Sequence, residues 1–390
     1  MTKPAAPVPH IFLSCGEASG DRYGAQLVAA LRRLRPDVRI SALGGPALAL
    51  TGSEIVAASD EIAVMGFGEV VSRVRPILRT RRLVWRHLTA GNVDVVVPID
   101  FPGFNLALAA HARRRGLPVF YVVPPQLWAW GAWRLRKLRR VVTKLGTILP
   151  FEPEWFRARG LDVVHLGHPL MEDYGEYPFE ARRRAREQRL QDAQLPVTLG
   201  LLPGSRRQEI ERLLPVMRIA AGMVQSWLAR RRVNVVISQA PGFPTRDLAD
   251  LAGNGAVISD EPLPLLLERL DVALVCSGTA SLEAALAGVP HAVAYRTSAL
   301  NYAVARRLVR VPHVGLANLI LQRTLVAEHL QAGAEPLHLA NTLLNLMNTP
   351  GRRQEYYRGC TELRRRCGGA GVWRRAARAI WDLLEPTQRG

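Results

Sequence analysis

Four loops gather residue types that handle hydroxyls, anions and protons. The first, Cys15-Gly16-Glu17-Ala18-Ser19-Gly20-Asp21, follows an apolar run and leads into an amphipathic one. That is the setting of a strand-to-helix turn that holds an anion. Yet Glu17 and Asp21 place two carboxylates where a phosphate would be repelled. Gly16, Gly20 and Gly24 recur every fourth residue, unlike the G-x-G-x-x-G spacing of a dinucleotide loop. The loop is therefore expected to hold hydroxyl-rich or amino-sugar groups, with a solvated turn as the plain alternative. In the second loop, VDVVVPIDFPGFN, an apolar run ends at Asp100 and a helix begins near Asn105. An acid at the tip of a buried strand can take a proton from a bound hydroxyl. It can equally cap the following helix.

The third loop, Pro203-Gly204-Ser205-Arg206, precedes a helix bearing Glu209 and Glu211. Amides at a helix N-terminus, a glycine allowing close approach, a hydroxyl and a guanidinium together suit a diphosphate. The alternative is an ordinary turn with Ser205 as N-cap. The fourth, Cys276-Ser277-Gly278-Thr279, opens another helix, and Glu283, one turn in, can accept hydrogen bonds from ribose hydroxyls. No HExxH, Cys/His cluster or Asp-x-Asp pair suggests a metal, and GxxxxGK[ST] is missing. Neither metal nor cofactor is expected, which leaves arginine and helix dipoles to stabilise any departing diphosphate.

These loops need a scaffold that presents strand ends. Short apolar runs alternate with amphipathic segments, as in β-loop-α units around parallel sheets. Strands are predicted at 11–14, 40–43, 93–99, 119–123 and 147–149, then at 197–202, 233–238, 256–259, 272–276 and 292–295. The fold class is α/β: two Rossmann-like, doubly wound parallel-sheet domains facing a central cleft, with ligands at the carboxyl ends of the strands. The polar stretch 167–197 holds the linker. Domains are expected at 1–168 and 169–359, with a C-terminal helical segment, 360–390, packing back on the first.

The 390 residues are 48% hydrophobic, enough for two cores. Four cysteines without paired spacing point to reduced thiols. No apolar window free of charges and breakers reaches the length of a membrane span, and the first ten residues do not read as a signal peptide. A cytoplasmic chain is expected. With 52 Lys and Arg against 33 Asp and Glu, net +19, it should be drawn to polyanions. The arginines are scattered and no nucleic-acid-binding signature accompanies them, so nucleic acid is not the expected partner.

Taken together, GEASGD, AVMGF.EV, ID.P.FN, WAW, LPFE, GHP, LLPGSR..E, SGTASLE, YR, A.RLV and NL, in this order over nearly the whole chain, resemble the lipid-A-disaccharide synthases, two-domain GT-B glycosyltransferases. The resemblance implies transfer of a sugar from UDP-diacylglucosamine to the carbon-six hydroxyl of diacylglucosamine 1-phosphate, with inversion and release of UDP. It implies Asp100 as base and Gly204, Ser205 and Arg206 on the leaving diphosphate. Ser277, Gly278, Thr279, Glu283 and Asn318 would lie around the donor. Glu17, Ser19, Gly20, Asp21 and Asn105 would line the acceptor domain's share of the cleft. Acylated substrates imply a peripheral contact with the anionic inner-membrane surface. The segment 63–88 has the make-up of an interfacial anchor, with Met65, Phe67, Val70, Val71, Val74, Ile77 and Leu78 interleaved with arginines that include Arg73 and Arg75.

Three departures from the family pattern stand out: Gly103 in place of an acid, Pro124-Pro125-Gln126 before the tryptophans, and the run Asn318 to Arg323 without its glycine. Two other readings stay open: another GT-B enzyme acting on a UDP-amino sugar, and a catalytically silent lipid-binding paralogue.

Overall fold

A computed structural model describes residues 8–62, 74–90, 92–240, 242–253, 255–298 and 311–384, together with Tyr302 and Arg307. The chain divides into two units, residues 1–169 with 371–390, and residues 170–370.

The first unit runs β1 (His10–Cys15), α1 (Ala18–Leu34), β2 (Arg39–Gly44), α2 (Pro46–Leu50), β3 (Glu54–Ala58), α3 (Val74–Ala90), β4 (Val95–Ile99), α4 (Pro102–Arg114), β5 (Phe120–Val122), α5 (Leu135–Val141), β6 (Lys144–Thr147), α6 (Glu152–Arg157) and β7 (Val163–His165). Its seven strands are parallel, in the order β3-β2-β1-β4-β5-β6-β7. The central strands HIFLSC and VVVPI are buried along their whole length, because helices cover both faces. One face packs on α1 and on the C-terminal helix Val372–Leu384 through Leu27, Leu31, Trp373, Ala377 and Ile380. The other packs on α3 to α6 through Val84, Leu108, Leu138 and Phe156.

The second unit opens with α7 (Met171–Tyr174) and α8 (Phe179–Gln191). It continues β8 (Val197–Leu202), α9 (Arg207–Trp227), β9 (Val233–Ser238), α10 (Thr245–Ala252), β10 (Ala256–Ser259), α11 (Leu263–Arg269), β11 (Val272–Cys276), α12 (Thr279–Leu286) and β12 (His291–Tyr295). Leu316–Leu321 (helix), β13 (Ala327–Leu330) and helices Pro336–Asn348 and Pro350–Cys367 complete it. The sheet is again parallel, in the order β10-β9-β8-β11-β12-β13.

Both strand orders reverse direction at one point, between β1 and β4 in the first sheet and between β8 and β11 in the second. Such a switch point opens a crevice at the strands' carboxyl ends. The four chemistry-bearing loops follow β1, β4, β8 and β11, the strands that flank these two points.

The observed elements differ from the predicted ones in several places. The sixth strand ends at Thr147 instead of beginning there. β3, β7 and β13 were unforeseen: EIVAA, VVH and AEHL are short, partly polar edge strands, without the apolar run that marks a central one. The chain rejoins the first unit at Gly371, so residues 360–367 belong to a helix of the second. Of the anticipated anchor, Met65, Phe67, Val70, Val71 and Arg73 lie outside the described residues, as does the side chain of Val74. Arg75 and Leu78 are exposed on α3, while Ile77 packs against the core. No described helix is long and apolar enough to cross a membrane.

Candidate active site

At the switch point of the first sheet, Cys15 pairs with Ile99, so the two acidic loops leave adjacent strands side by side. The glycine spacing now has a physical cause. A methyl on Gly16 would lie 2.2 Å from the Phe101 ring, one on Gly24 would lie 2.9 Å from Cys15 Sγ, and one on Gly20 would touch Cys15 and the Ile99 carbonyl. Gly16 in the turn makes room for Phe101, and Gly20 and Gly24 give the first turns of α1 a flat strip that seats against Cys15 at the end of β1. It is a packing device.

The chain turns sharply after β4. Asp100 (φ 50°) and Phe101 (φ 48°) are both left-handed, a conformation costing about 1–3 kcal/mol per residue outside glycine. Several bonds hold it. The Asp100 amide donates to Val122 O (3.0 Å), and the Asp100 carbonyl accepts from Asn105 Nδ2 (2.7 Å) and Tyr121 Oη (2.7 Å). Asn105 also reaches the carbonyls of Ser14 (3.2 Å) and Ile99 (3.3 Å), and its Oδ1 accepts from Ser14 Oγ (2.6 Å). The helix N-cap is Phe101, which makes no side-chain cap. Capping therefore does not account for Asp100. Burial raises its carboxyl above the usual aspartate value, against the pull of the Phe101 amide, and the nearby charge of Glu17 raises it further. Glu17 and Ser19 are exposed beside it. A partly buried acid of raised basicity can accept a proton from a hydroxyl bound at this edge.

Gly204 (φ 110°) turns the chain after β8. A side chain there would strike Glu209 Oε2 at 2.6 Å and approach Cys276 Sγ at 3.2 Å. Arg206, not Ser205, is the N-cap of α9. Glu209 Oε2 accepts its amide (3.3 Å), and Glu209 Oε1 lies 3.2 Å from its Nη1. The guanidinium is otherwise open, its side chain 72% exposed. After β11, the chain turns at Gly278 (φ 144°), the N-cap of α12, and Ser281 Oγ donates to the Gly278 carbonyl (2.7 Å). The Tyr174 hydroxyl donates to Glu283 (3.0 Å). Burial and the Glu283 carboxylate hold that phenol far above its ordinary pKa, so it stays a donor. Here two helix N-termini and a guanidinium make the strand ends electropositive.

A family model described as lipid-A-disaccharide synthetase matches residues 11–368. The chain belongs to the lipid-A-disaccharide synthase family. It is 36% identical over 389 residues to the lipid-A-disaccharide synthase of Myxococcus xanthus, covering 99% of each chain. It is 35% identical over 394 residues to that of Acidobacterium capsulatum, covering 97% of each. Among solved structures it is similar to the UDP-GlcNAc 2-epimerase of Neisseria meningitidis (TM-score 0.58, 14% identity, 96% of this chain and 100% of that one). It is also similar to the calicheamicin glycosyltransferase CalG4 (TM-score 0.60, 15% identity, 98% and 100%). At those identities the likeness carries the fold alone, which is GT-B. Like other lipid-A-disaccharide synthases, the chain is a glycosyltransferase of lipid A biosynthesis acting on lipid A precursor sugars.

Among residues that family resemblance placed around substrates, three are instead spoken for by the fold. Buried Asp21 accepts the amides of Gly45 (2.7 Å), Ala47 (2.8 Å) and Leu48 (3.3 Å), and so caps α2. Asn105 is the buried staple already described. Asn318 is its counterpart in the second unit: Oδ1 accepts from Leu325 (2.7 Å) and Val326 (2.9 Å), and Nδ2 donates to Val326 O (2.8 Å) and Glu328 Oε1 (2.7 Å). All four hydrogen-bonding positions of that amide are used.

Glu328, Arg296 and Glu152 are polar residues that the sequence alone did not single out. Glu328 accepts the amides of Val314 (2.9 Å) and Gly315 (3.0 Å), fixing a loop whose Val314 carbonyl meets Ser277 Oγ (3.5 Å). Arg296 lies after β12 and, with Arg212, Thr297, Gln331 and Glu335, lines a polar cavity of about 590 Å³. Glu152 is buried and takes the Trp128 indole (3.0 Å) and the amides of Ile148 (3.2 Å) and Leu149 (3.0 Å). The YR and LPFE segments carried Arg296 and Glu152, so a signal for both was present. A methyl at Gly103 would meet open space, so packing does not require glycine there.

Proposed function

We propose that the enzyme transfers diacylglucosamine from its UDP derivative to the carbon-six hydroxyl of diacylglucosamine 1-phosphate, with inversion and without a metal, while resting on the inner membrane's cytoplasmic face. In this reading Asp100 takes the proton of the acceptor hydroxyl as that oxygen attacks the anomeric carbon. The bond from that carbon to the diphosphate breaks, and UDP leaves with the electron pair. Arg206, the Gly204–Ser205 turn and the amides opening α9 and α12 balance the charge on the leaving group. Ser277, Gly278 and Thr279 approach the donor, and Glu283, oriented by Tyr174, takes ribose hydroxyls. Glu17, Ser19 and Gly20 border the acceptor sugar. Asp21, Asn105 and Asn318 act through the loops they hold. The apolar and basic residues of 63–88 would provide attachment to anionic lipid.

The observation that carries this reading is the position of Asp100: a carboxyl of raised basicity, on a left-handed turn held by Asn105 and Tyr121, at the switch point of its sheet. The test is UDP release from UDP-diacylglucosamine, with and without diacylglucosamine 1-phosphate, in EDTA, for wild type and Asp100→Ala. Release that needs the acceptor, survives EDTA and collapses in the variant is expected. Full activity in Asp100→Ala would remove the base from this residue.

A further inference from the structure

Three helices of the first unit, α3, α4 and α5, pack side by side on one face of its sheet and share one core. They carry five, two and four Lys or Arg residues respectively, and not a single Asp or Glu. None of these cations pairs with a carboxylate among the described residues. At the entrance to α5, Gly131 (φ 75°) turns the chain so that Trp130 and Trp133 both stack on Arg134. The guanidinium lies 4.8 and 4.9 Å from their ring centroids. Trp133 is 76% exposed and Trp130 43%. Their neighbour Trp128 is held from beneath by Glu152 and by an edge-on contact with Phe151 at 4.8 Å. Thus the loop is braced while its outer indoles stand in solvent.

One exposed apolar side chain is ordinary. Two indoles clamped on an arginine, beside Arg136, Lys137, Arg139 and Arg140, combine amphipathic rings with unpaired positive charge, the composition of a headgroup-level contact. A stacking platform for nucleic-acid bases uses similar residues. However, α3 on the same face adds exposed Leu78 and Leu83, and a phosphate backbone gives aliphatic side chains nothing to enter. We propose that Trp130, Trp133 and Arg134, with the basic outer side of α5, form a bilayer contact additional to the one expected of residues 63–88 and on the same face as its exposed Leu78 and Leu83, seating two indoles among the headgroups of an anionic phospholipid surface. The proposal rests on the reading that acylated substrates bring the enzyme to a membrane.

The test uses the full chain, Trp130→Ala/Trp133→Ala and, for α3, Leu78→Ser/Leu83→Ser, sedimented with vesicles of phosphatidylcholine alone or mixed with phosphatidylglycerol. Turnover of detergent-dispersed substrates is followed in parallel. Wild type should bind the anionic vesicles in a salt-sensitive way. The double tryptophan variant should bind at least about tenfold more weakly at unchanged dispersed turnover. Brominated acyl chains should quench wild-type fluorescence more than that of the variant. If wild type binds and the tryptophan variant binds equally well, this contact is wrong while the membrane reading stands. If wild type turns over dispersed substrates but binds no vesicle, both are wrong. If the substitutions dissociate a dimer and leave vesicle binding intact, the patch serves a second copy. If they abolish single-stranded oligonucleotide binding and spare vesicle binding, it serves nucleic acid. Either of those last results overturns the proposal.

Discussion

The two sheets share one topology and put opposite chemistry at the same place. At its switch point the first unit presents Glu17 and Asp100, and the second presents Arg206 with the N-termini of α9 and α12. Crossover geometry decides where a loop emerges, and the few residues in that loop decide whether it attracts a proton or an anion. The wider surfaces differ as well. In the second unit ten arginines pair with a carboxylate among the described residues, as in Arg189 with Asp271, Arg353 with Glu187 and Arg366 with Glu362. Those of α3 to α5 pair with no carboxylate among the described residues, which concentrates unbalanced positive charge on one face of the first unit.

Removing the central group from each side is the strongest way to break this comparison. Asp100→Asn keeps the shape and loses the proton acceptor, so kcat should fall about 10²–10⁴-fold with UDP affinity unchanged. Arg206→Ala should cost about 10²–10³-fold in kcat/KM and weaken UDP binding, because in the proposed reaction its partner is the leaving group. Equilibrium titration with UDP separates them. Equal loss of UDP affinity in both variants would end the division of labour.

The buried amides sharpen it. Asn105→Leu and Asn318→Leu each strand several backbone groups, and each should destabilise the protein by about 3 kcal/mol. Their effects on turnover should differ in kind. Asn105 holds the carbonyl of Asp100, so its loss should lower kcat in the protein that remains folded, whereas Asn318→Leu should act through the donor KM. Denaturant melts paired with saturation kinetics measure both, and identical kinetic profiles would show that neither amide positions its loop.

How much of this was legible in the sequence follows burial. Central strands such as VVVPI and VALVC are continuous apolar runs and announce themselves. EIVAA, VVH and AEHL pair on one side only and carry polar residues, so periodicity passes over them. The place of Asp100 was visible because the buried run VVVPI ends directly before it. Asp21, Asn105 and Asn318 were visible as residues but not as roles. Whether a polar side chain meets a ligand or a backbone amide depends on partners far along the chain, as with Asp21 and Gly45. The packing role of Gly16 was hidden for the same reason: its neighbour, Phe101, lies in another loop.

Glu17 offers a finer cut within the acidic side. Burial is the main cause that raises Asp100, and the Glu17 charge adds to it, so the acid limb of kcat/KM should lie above the ordinary aspartate range. Activity should fall as pH drops through that raised value, because the base becomes protonated. Glu17→Gln removes one of the raising influences, and the limb should move to lower pH while its plateau changes little. A pH profile of the variant that overlays wild type would mean the two acids do not communicate.

The smallest effect concerns stability in mild acid and should again differ between the units. Burial depresses His168 in the first unit and His291 in the second to about 4. Unfolded histidine binds its proton near pH 6.5, so each contributes stability that is lost as pH falls from there toward 4, about 2 kcal/mol by pH 5. In the first unit Glu152 opposes this. Burial raises its carboxyl to about 7 despite its three donors, so lowering the pH from 7 toward 4.5 favours the folded form. The second unit has the reverse addition. Burial pushes Glu187 upward, but the hydrogen bonds and charge of Arg353 outweigh it and leave the carboxyl below its usual range, so acid removes that contribution too. Hydrogen exchange at pH 7 and pH 5, corrected for intrinsic rates, should therefore show protection falling further in β8, β11 and β12 than in β1, β4 and β5. Glu152→Gln should narrow the difference by taking away the compensating proton, leaving only the part due to Glu187, and a uniform loss in wild type would show that these buried groups do not set the acid response.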